Sequence, residues 1–592
     1  MTNPFEDRRR VLKAGVAGLV AALPVWGCAT RAGAAGPLLG FTAVPVSAAD
    51  DVTVPPGYRV QVLYRWGDPV GIAAGQPEFR MDAGNSAEEQ ALQAGMHHDA
   101  IEYFPLPYGS QSSSRALLAV NHEYTDESLL HPDGMKTWTA DKVRKSQAAH
   151  GVAVVEVERR DTEWRVVRPS RYARRITAAT PIRISGPAAG HALLRTAADP
   201  SGTEALGTFN NCAGGHTPWG TYLTCEENFN GYFVNAGVIP AEQRRYRITA
   251  RGGGYRWHEF DARFDAERHP NEPNRFGWVV EIDPYDPSAK PVKRTALGRI
   301  KHEGATVTLA ADGRVVVYMG DDEAFERIYK FVSSGRYDPA NPEANRDLLD
   351  RGGLYVARFG AGGAGEWLAL PGTPEALVGT RQSADAAGGT RMDRPEWIAV
   401  HPATKDVYVS LTHNVRRGAD GQPGTDGANP RANNVFGHIL RWREEGGDSG
   451  ALRLRWDIFA LGGEDKGFGS PDGLWVDPRG VLWIQTDVSG STLNRGPYAN
   501  LGNNQMLAAD PASGEIRRFL TGPRGCEITG MTMAPDGRSF FVNIQHPGEA
   551  ASEGSDAASP RRVSNWPDFR PEGRPRSATI VIRREDGGIV GS

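Results

Sequence analysis

The sequence predicts an all-β fold, a β-propeller with long loop insertions and short helices, and three observations predict it. The 592 residues include 71 Gly, 41 Pro and 14 Trp, the composition of many short strands joined by turns. From about residue 55 onward, hairpins recur: "GWVVEIDPYDP", "VTLAADGRVVVYMGDD", "WIAVHPATKDVYVSLTHN", "GLWVDPRGVLWIQTD" and "MTMAPDGRSFFVNIQH". Each reads strand, Asp-Pro, His-Pro or Asp-Gly turn, strand, polar end, which is how a propeller blade reads when its inner strands end at a central channel.

Taken in order, the chain opens on "DRRRVLKAGVAGLVAALPVWGCATRAGAAG". Paired Arg8 and Arg9, followed by a short apolar run, match a twin-arginine export signal over residues 1–35, and the run is too short for a membrane span. Cys28 sits in a poor lipid-attachment context because of Trp26, so an exported protein, periplasmic or extracellular and without stable membrane insertion, is expected. Removal of the signal leaves Cys212, Cys225 and Cys526, an odd number, so at least one has no partner within the chain.

Residues 50–592 then read as a single propeller domain. Two stretches rich in Gly, Pro, Asn or charge, 416–434 and 549–576, are loop insertions, and Pro339 to Arg351 is polar enough for a short helix. Lys and Arg number 67 against 71 Asp and Glu, a net charge of −4, and no basic stripe is interleaved with aromatics, which excludes nucleic acid as a partner. Nothing calls for an obligate oligomer, and a monomer is expected.

The chemistry lies at the strand ends. In "RALLAVNHEYT" an apolar strand stops at Asn121, His122 and Glu123, and "VVVYMGDDE", "LWIQTD" and "FFVNIQH" stop in the same way. Carboxylates that converge on one channel mouth raise each other's pKa and persist when cations sit among them. The candidates are Asp99, Glu123, Cys212, Glu226, Glu227, Glu303, Asp321, Asp322, Glu396, Asp472, Asp487 and Glu527. Any one of them alone reads equally well as a turn former or a solvated strand end. Many oxygen donors suit calcium and one thiolate among carboxylates suits iron, while the lack of CxxC and HExxH disfavours zinc. Alternation along the strand puts Cys225 and Glu227 on one face and Glu226 on the other, so only one of the two acids need point inward.

Eight stretches in order, "NHEYT", "NNCAGGHTPWGTYLTCEENFNGYF", "GRIKHEGATVT", "YMGDDEAFERIYKFVS", "DRPEWIAVHP", "FGSPDGLWVDPRGVLWIQTD", "NNQMLAADPASGEIRRFLTGPRGCEITG" and "FVNIQHPGE", resemble the PhoX-type alkaline phosphatase family. The resemblance runs from about residue 95 to 550 and departs from some members at His97 and His98, where asparagines are expected. It implies hydrolysis of small-molecule phosphate monoesters, with some diesterase activity, at a cluster of Fe3+ and Ca2+, in a protein carried out by the twin-arginine machinery. By motif, Cys212 corresponds to the iron-ligating thiolate, and Glu123, Glu303, Glu396 and Glu527 to carboxylate ligands. Glu226 or Glu227, Asp322, Asp472 and Asp487 follow as further ligands, and Arg394 as the phosphate-binding arginine. Arg394, Cys212 and Glu396 are the expected catalytic residues. Two other readings share the architecture: a calcium-dependent propeller lactonase, which needs neither thiolate nor phosphate arginine, and a non-catalytic exported propeller that binds a partner.

Overall fold

The computed structural model describes residues 37–549 and 556–592, so the expected export signal and Cys28 lie outside the described residues. Six four-stranded antiparallel blades surround one channel. Blade one is His98–Pro105, Arg115–His122, Gly151–Arg160 and Glu163–Val166; blade two is Asn211–His216, Tyr222–Glu226, Val279–Ile282 and Val292–Arg294. Blade three is His302–Leu309, Arg314–Asp321, Ile328–Arg336 and Gly352–Phe359; blade four is Pro395–Val400, Val407–Leu411, His438–Glu444 and Arg453–Leu461. Blade five is Pro471–Val476, Leu482–Thr486, Gln505–Ala509 and Ile516–Thr521. Blade six takes Glu527–Met533, Phe540–Gln545 and Ala578–Arg584 from the end of the chain and Tyr58–Arg65 from its beginning.

That last pairing closes the ring. Tyr58 lies opposite Arg584 and Arg65 opposite Ala578, and the six inner strands follow one another in a circle that brings blade six against blade one. A closed circle leaves no blade without neighbours on both faces. The apolar runs of the sequence follow from this, because alternate residues of one strand bury themselves against different neighbours. Leu117 and Ala119 pack toward Tyr222 and Val280 of blade two, whereas Leu118 and Val120 pack toward Phe541 and Val581 of blade six. Between blades five and six, Trp483 stands edge-on to Phe519 and Phe540 at 5.0 and 4.9 Å.

Helices are short, the ten residues Ala140–Ala149 being the longest among those described. The helix expected from Pro339 to Arg351 is a single 3-10 turn, Pro342–Asn345, consistent with Pro342 at its start. The 416–434 insertion carries no strand and is closed at its base by a bridge between Asn414 and Asn434. Among the described residues, no helix is long and apolar enough to cross a membrane. Ile580, fully buried in the central part of blade six, tests the closure: Ile580→Ala is expected to lower unfolding free energy by about 2–5 kcal/mol in urea titrations followed by circular dichroism. A loss below about 1 kcal/mol would mean that the closing blade is not packed as described.

Candidate metal centre at the channel mouth

Each blade sends its chemistry to the mouth from two positions. Asp99, Cys212, Glu303, Glu396 and Asp472 are the second residues of their inner strands, and Glu527 is the first residue of the sixth. The residue that follows the second strand of each blade gives the other set: Glu123, Glu227, Asp322, Thr412, Asp487 and His546. In every blade the strand register shifts close to these residues, for instance between His98 and Ile101, Glu303 and Thr306, and Pro471 and Leu474. A bulge of this kind re-aims side chains that a regular ladder would turn into the blade interface. Four inner strands are entered through a non-glycine residue in the left-handed region: His97 at φ 50°, Asn210 at 50°, Arg394 at 57° and Ser470 at 49°. Such conformations cluster at functional sites, where the surrounding structure enforces them.

The result is nine carboxylates, one thiol and one imidazole in four groups, two of which share Glu303: Asp99, Glu123 and Cys212; Glu227, Glu303 and Asp322; Glu303, Glu396 and Asp472; and Asp487, Glu527 and His546. Within each group the candidate ligand atoms lie within 4.8 Å of one another. Burial, reinforced by Asp99 and Glu227, pushes Glu123 well above the carboxylate range; burial and the neighbouring acids do the same to Glu303, Glu396 and Glu527. Burial takes Asp99 to about 6 and Glu227 and Asp472 to about 8. The Cys212 thiol, also raised by burial and by Asp99, donates to Glu303 Oε1 at 2.9 Å.

The residues fit a group of cations on a second ground. Asp99 Oδ1, Glu227 Oε1 and Asp472 Oδ1 are buried without any hydrogen-bond partner, although other polar side chains stand close by. An orphaned buried carboxylate oxygen is costly unless something electropositive meets it. Three basic side chains border the mouth. Lys301 donates to Asn228 Oδ1 at 2.8 Å beside Glu227 and Asp322. Burial lowers His546, but Glu549 and Asp487 outweigh it and hold the imidazole above its ordinary value. Arg394, with 28% of its side chain exposed, grips Asp322 through Nε and Nη2 at 2.9 and 2.7 Å and reaches Glu396 at 3.1 Å. Burial raises Asp322, yet Arg394 and Lys301 together bring it below the ordinary carboxylate value.

Ten of the eleven site residues expected from sequence meet at this mouth; Glu226 does not. It ends its strand facing the blade body, accepts from the backbone of Gly277 and Trp278 at 3.0 and 3.1 Å, and pairs with Lys293 at 2.6 Å, both side chains fully buried. Asp321 is turned away in the same manner and held by Arg381 Nε at 2.9 Å. Asn121 is committed elsewhere too: its amide donates to the carbonyls of Cys212 and Ala213 and accepts from Tyr222 and Thr224, stitching blade one to blade two. In the opening motif it is therefore Glu123 alone that reaches the mouth. Asp99 joins the cluster, as do three residues that sequence reasoning left unassigned, His546, Lys301 and Gln545, whose amide donates to both Asp99 and Glu123 at 3.0 and 2.9 Å. His546 occupies the position just past a second strand that holds an acid in four other blades, and that shared position is the signal that would have found it. Cys212, Cys225 and Cys526 are all free, the latter two buried in separate blade interfaces.

A closed propeller whose blades aim nine carboxylates and a thiol at one mouth, with Arg394 beside them, defines a propeller protein with a candidate metal centre. A profile of the alkaline phosphatase PhoX family matches residues 39–548. The chain belongs to that family, and it is a phosphatase. The structure of Pseudomonas fluorescens PhoX in complex with vanadate, a transition state analogue, is 46% identical, superposes with a TM-score of 0.88, and spans 94% of this chain and all of that one. A luciferin-regenerating enzyme (12% identity, TM-score 0.24, 52% of this chain and 84% of that one) and a protein of unknown function from Dyadobacter fermentans (10%, 0.34, 89% and 100%) are far more distant. No curated protein matches the chain in sequence.

Two outcomes follow from the site. Glu227 and Asp472, raised from 4.5 and 3.8 to about 8, bind protons in the cation-free folded state that the unfolded chain has already released, so their contribution is full below the unfolded values and lost as pH rises through about 8. The melting temperature of chelated protein should therefore fall from about pH 5 to about pH 8, and calcium and iron should flatten that fall; a pH-independent melting temperature without cations would contradict it. Glu226→Gln should lower stability by about 3 kcal/mol, because Lys293 is left buried without its partner, with bound metal unchanged. Glu227→Gln should lower bound metal instead, as read by elemental analysis, and the opposite pattern would reverse their assignment.

Proposed function

We propose that this chain is an exported, metal-dependent alkaline phosphatase that hydrolyses small-molecule phosphate monoesters, with some diesterase activity, in the periplasm or outside the cell. The observation that carries the reading is a single guanidinium fork, Arg394, partly exposed in a mouth otherwise crowded with nine carboxylates. The twin-arginine segment at the N-terminus supports export, and a monomer suffices because every site residue comes from one chain.

Cys212 with Asp99 and Glu123 suits Fe3+, since a thiolate among carboxylates selects a transition ion. Glu227, Glu303, Asp322, Glu396, Asp472, Asp487 and Glu527 offer the oxygen-rich surroundings that Ca2+ takes. Bound there, the cations supply the positive charge that lets an acidic mouth accept a dianionic ester and that stabilises negative charge developing on it.

Arg394 is assigned the equatorial phosphoryl oxygens, because a planar two-pronged donor matches phosphate where a lysine does not. Asp322 and Glu396 orient that fork. Lys301, beside Glu227 and Asp322, adds fixed positive charge behind the cluster. Phosphoryl transfer needs little covalent work from the protein, so holding the ester in line and neutralising its charge account for the chemistry. The family assignment sets aside the lactonase and the non-catalytic binding readings, neither of which needs Cys212 or Arg394.

The test is hydrolysis of p-nitrophenyl phosphate at alkaline pH by metal-loaded protein. Turnover should be lost on chelation and inhibited by vanadate, which the similar Pseudomonas fluorescens protein binds. Arg394→Ala should reduce kcat/KM by about 100- to 1000-fold. Cys212→Ala should lose iron and turnover while its β-rich circular dichroism spectrum stays intact; full activity in either variant would sink the corresponding role.

A further inference from the structure

We infer that the blade-four insertion spanning His413 to Asn434 is a clasp that positions Arg394, with Asp393 and Arg417 as its central pair. The inference rests on Arg394 being the phosphate-binding residue. In sequence this stretch reads as a loop with no task. In the structure it grips the four residues Arg391 to Arg394 one after another.

Arg417, only 1% exposed in its side chain, donates through Nε to Asp393 Oδ1 at 2.7 Å and through Nη2 to the Arg391 carbonyl at 2.7 Å. Asn414 and Asn434 donate their amides to the two oxygens of Asp393 at 2.9 and 3.0 Å, and Asn429 adds a bond to the Arg391 carbonyl at 3.1 Å. The Met392 carbonyl accepts from the backbone of Phe325 at 2.8 Å, and the Arg394 carbonyl accepts from Thr412 at 3.2 Å. His413 Nδ1 lies 3.4 Å from Arg394 Nη1, and since a guanidinium only donates, Nδ1 is the accepting side of that contact.

Two features show that this grip is directed at Arg394 rather than at loop stability alone. Arg394 sits at φ 57° and Phe325 at φ 75°, conformations that bulky side chains hold only when their surroundings force them. Arg417 serves both, because its guanidinium also lies 5.1 Å from the Phe325 ring centre. Blade four is also where the ring of acids is broken: Thr412 stands in the position that carries Glu, Asp or His in the other five blades. The insertion enters the chain one residue later. Blade four keeps one carboxylate at the mouth, Glu396, where blades one, three and five give two, and beside it supplies a rigidly held fork.

The experiment compares wild-type protein, the charge-neutral pair Asp393→Asn with Arg417→Gln, and the milder Asn434→Ala, each metal-loaded, with and without Arg394→Ala. Kinetics on p-nitrophenyl phosphate, competitive inhibition by inorganic phosphate, and iron and calcium content are measured. The clasp variants should raise KM and weaken phosphate inhibition together by about tenfold or more, with metal content unchanged. In the Arg394→Ala background the same substitutions should change kcat/KM by less than about twofold, since their effect passes through the arginine. Unchanged KM and phosphate inhibition in a folded, metal-loaded clasp variant would overturn the inference, as would an equal loss with and without Arg394. If the double variant does not fold, Asn434→Ala decides by the same criteria. A wild-type protein that turns over no phosphate ester overturns the phosphatase reading itself, and this one with it.

Discussion

The burial of eight carboxylates, and the half-burial of a ninth, close together at one mouth is the constraint on which the rest of this molecule depends. Burial, and then the neighbouring acids, raise most of them far above the ordinary carboxylate range, so the mouth is stable only if protonated or if positive charge is brought to it. The protein supplies some of that charge itself through the Arg394 guanidinium. The remainder is the affinity for cations, and the orphaned oxygens of Asp99, Glu227 and Asp472 mark where it is unmet by protein groups.

A closed propeller is well suited to holding such a cluster. Acids from six different blades are forced together by apolar packing between the blades, which lies away from the mouth and does not depend on it. The division of labour is local and periodic. The last residue of a second strand, as with Glu226 and Asp321, is spent on the blade and neutralised there by Lys293 or Arg381. The next residue, Glu227 or Asp322, turns into the mouth. Adjacent acids of one type thus do different work, and a one-residue slip would exchange structure for chemistry.

The blade that departs from the pattern is equally informative. With Thr412 in the acid position and a long insertion behind it, blade four gives up a carboxylate and gains a held guanidinium. The insertion that looks most like spare sequence holds the Arg391 carbonyl and the Asp393 carboxylate just ahead of Arg394.

Much of this was legible in the chain itself. Short strands, tight turns and polar strand ends determined the propeller, because hydrophobic alternation and turn chemistry are local properties. The same strand ends named nearly every residue of the mouth, including Asp99, Glu123, Cys212 and Glu527. What the sequence could not decide was direction. Whether Glu226 or Glu227 points inward depends on a bulge between Thr224 and Glu226 and on Lys293, which lies 67 residues away. Asn121, at a strand end beside Glu123, is a stitch between blades, while His546 and Lys301, to which the sequence assigns no role, border the cluster. Such choices are made by partners distant in the chain, through charge pairing and register across blades, and only the closed tertiary structure brings those partners together.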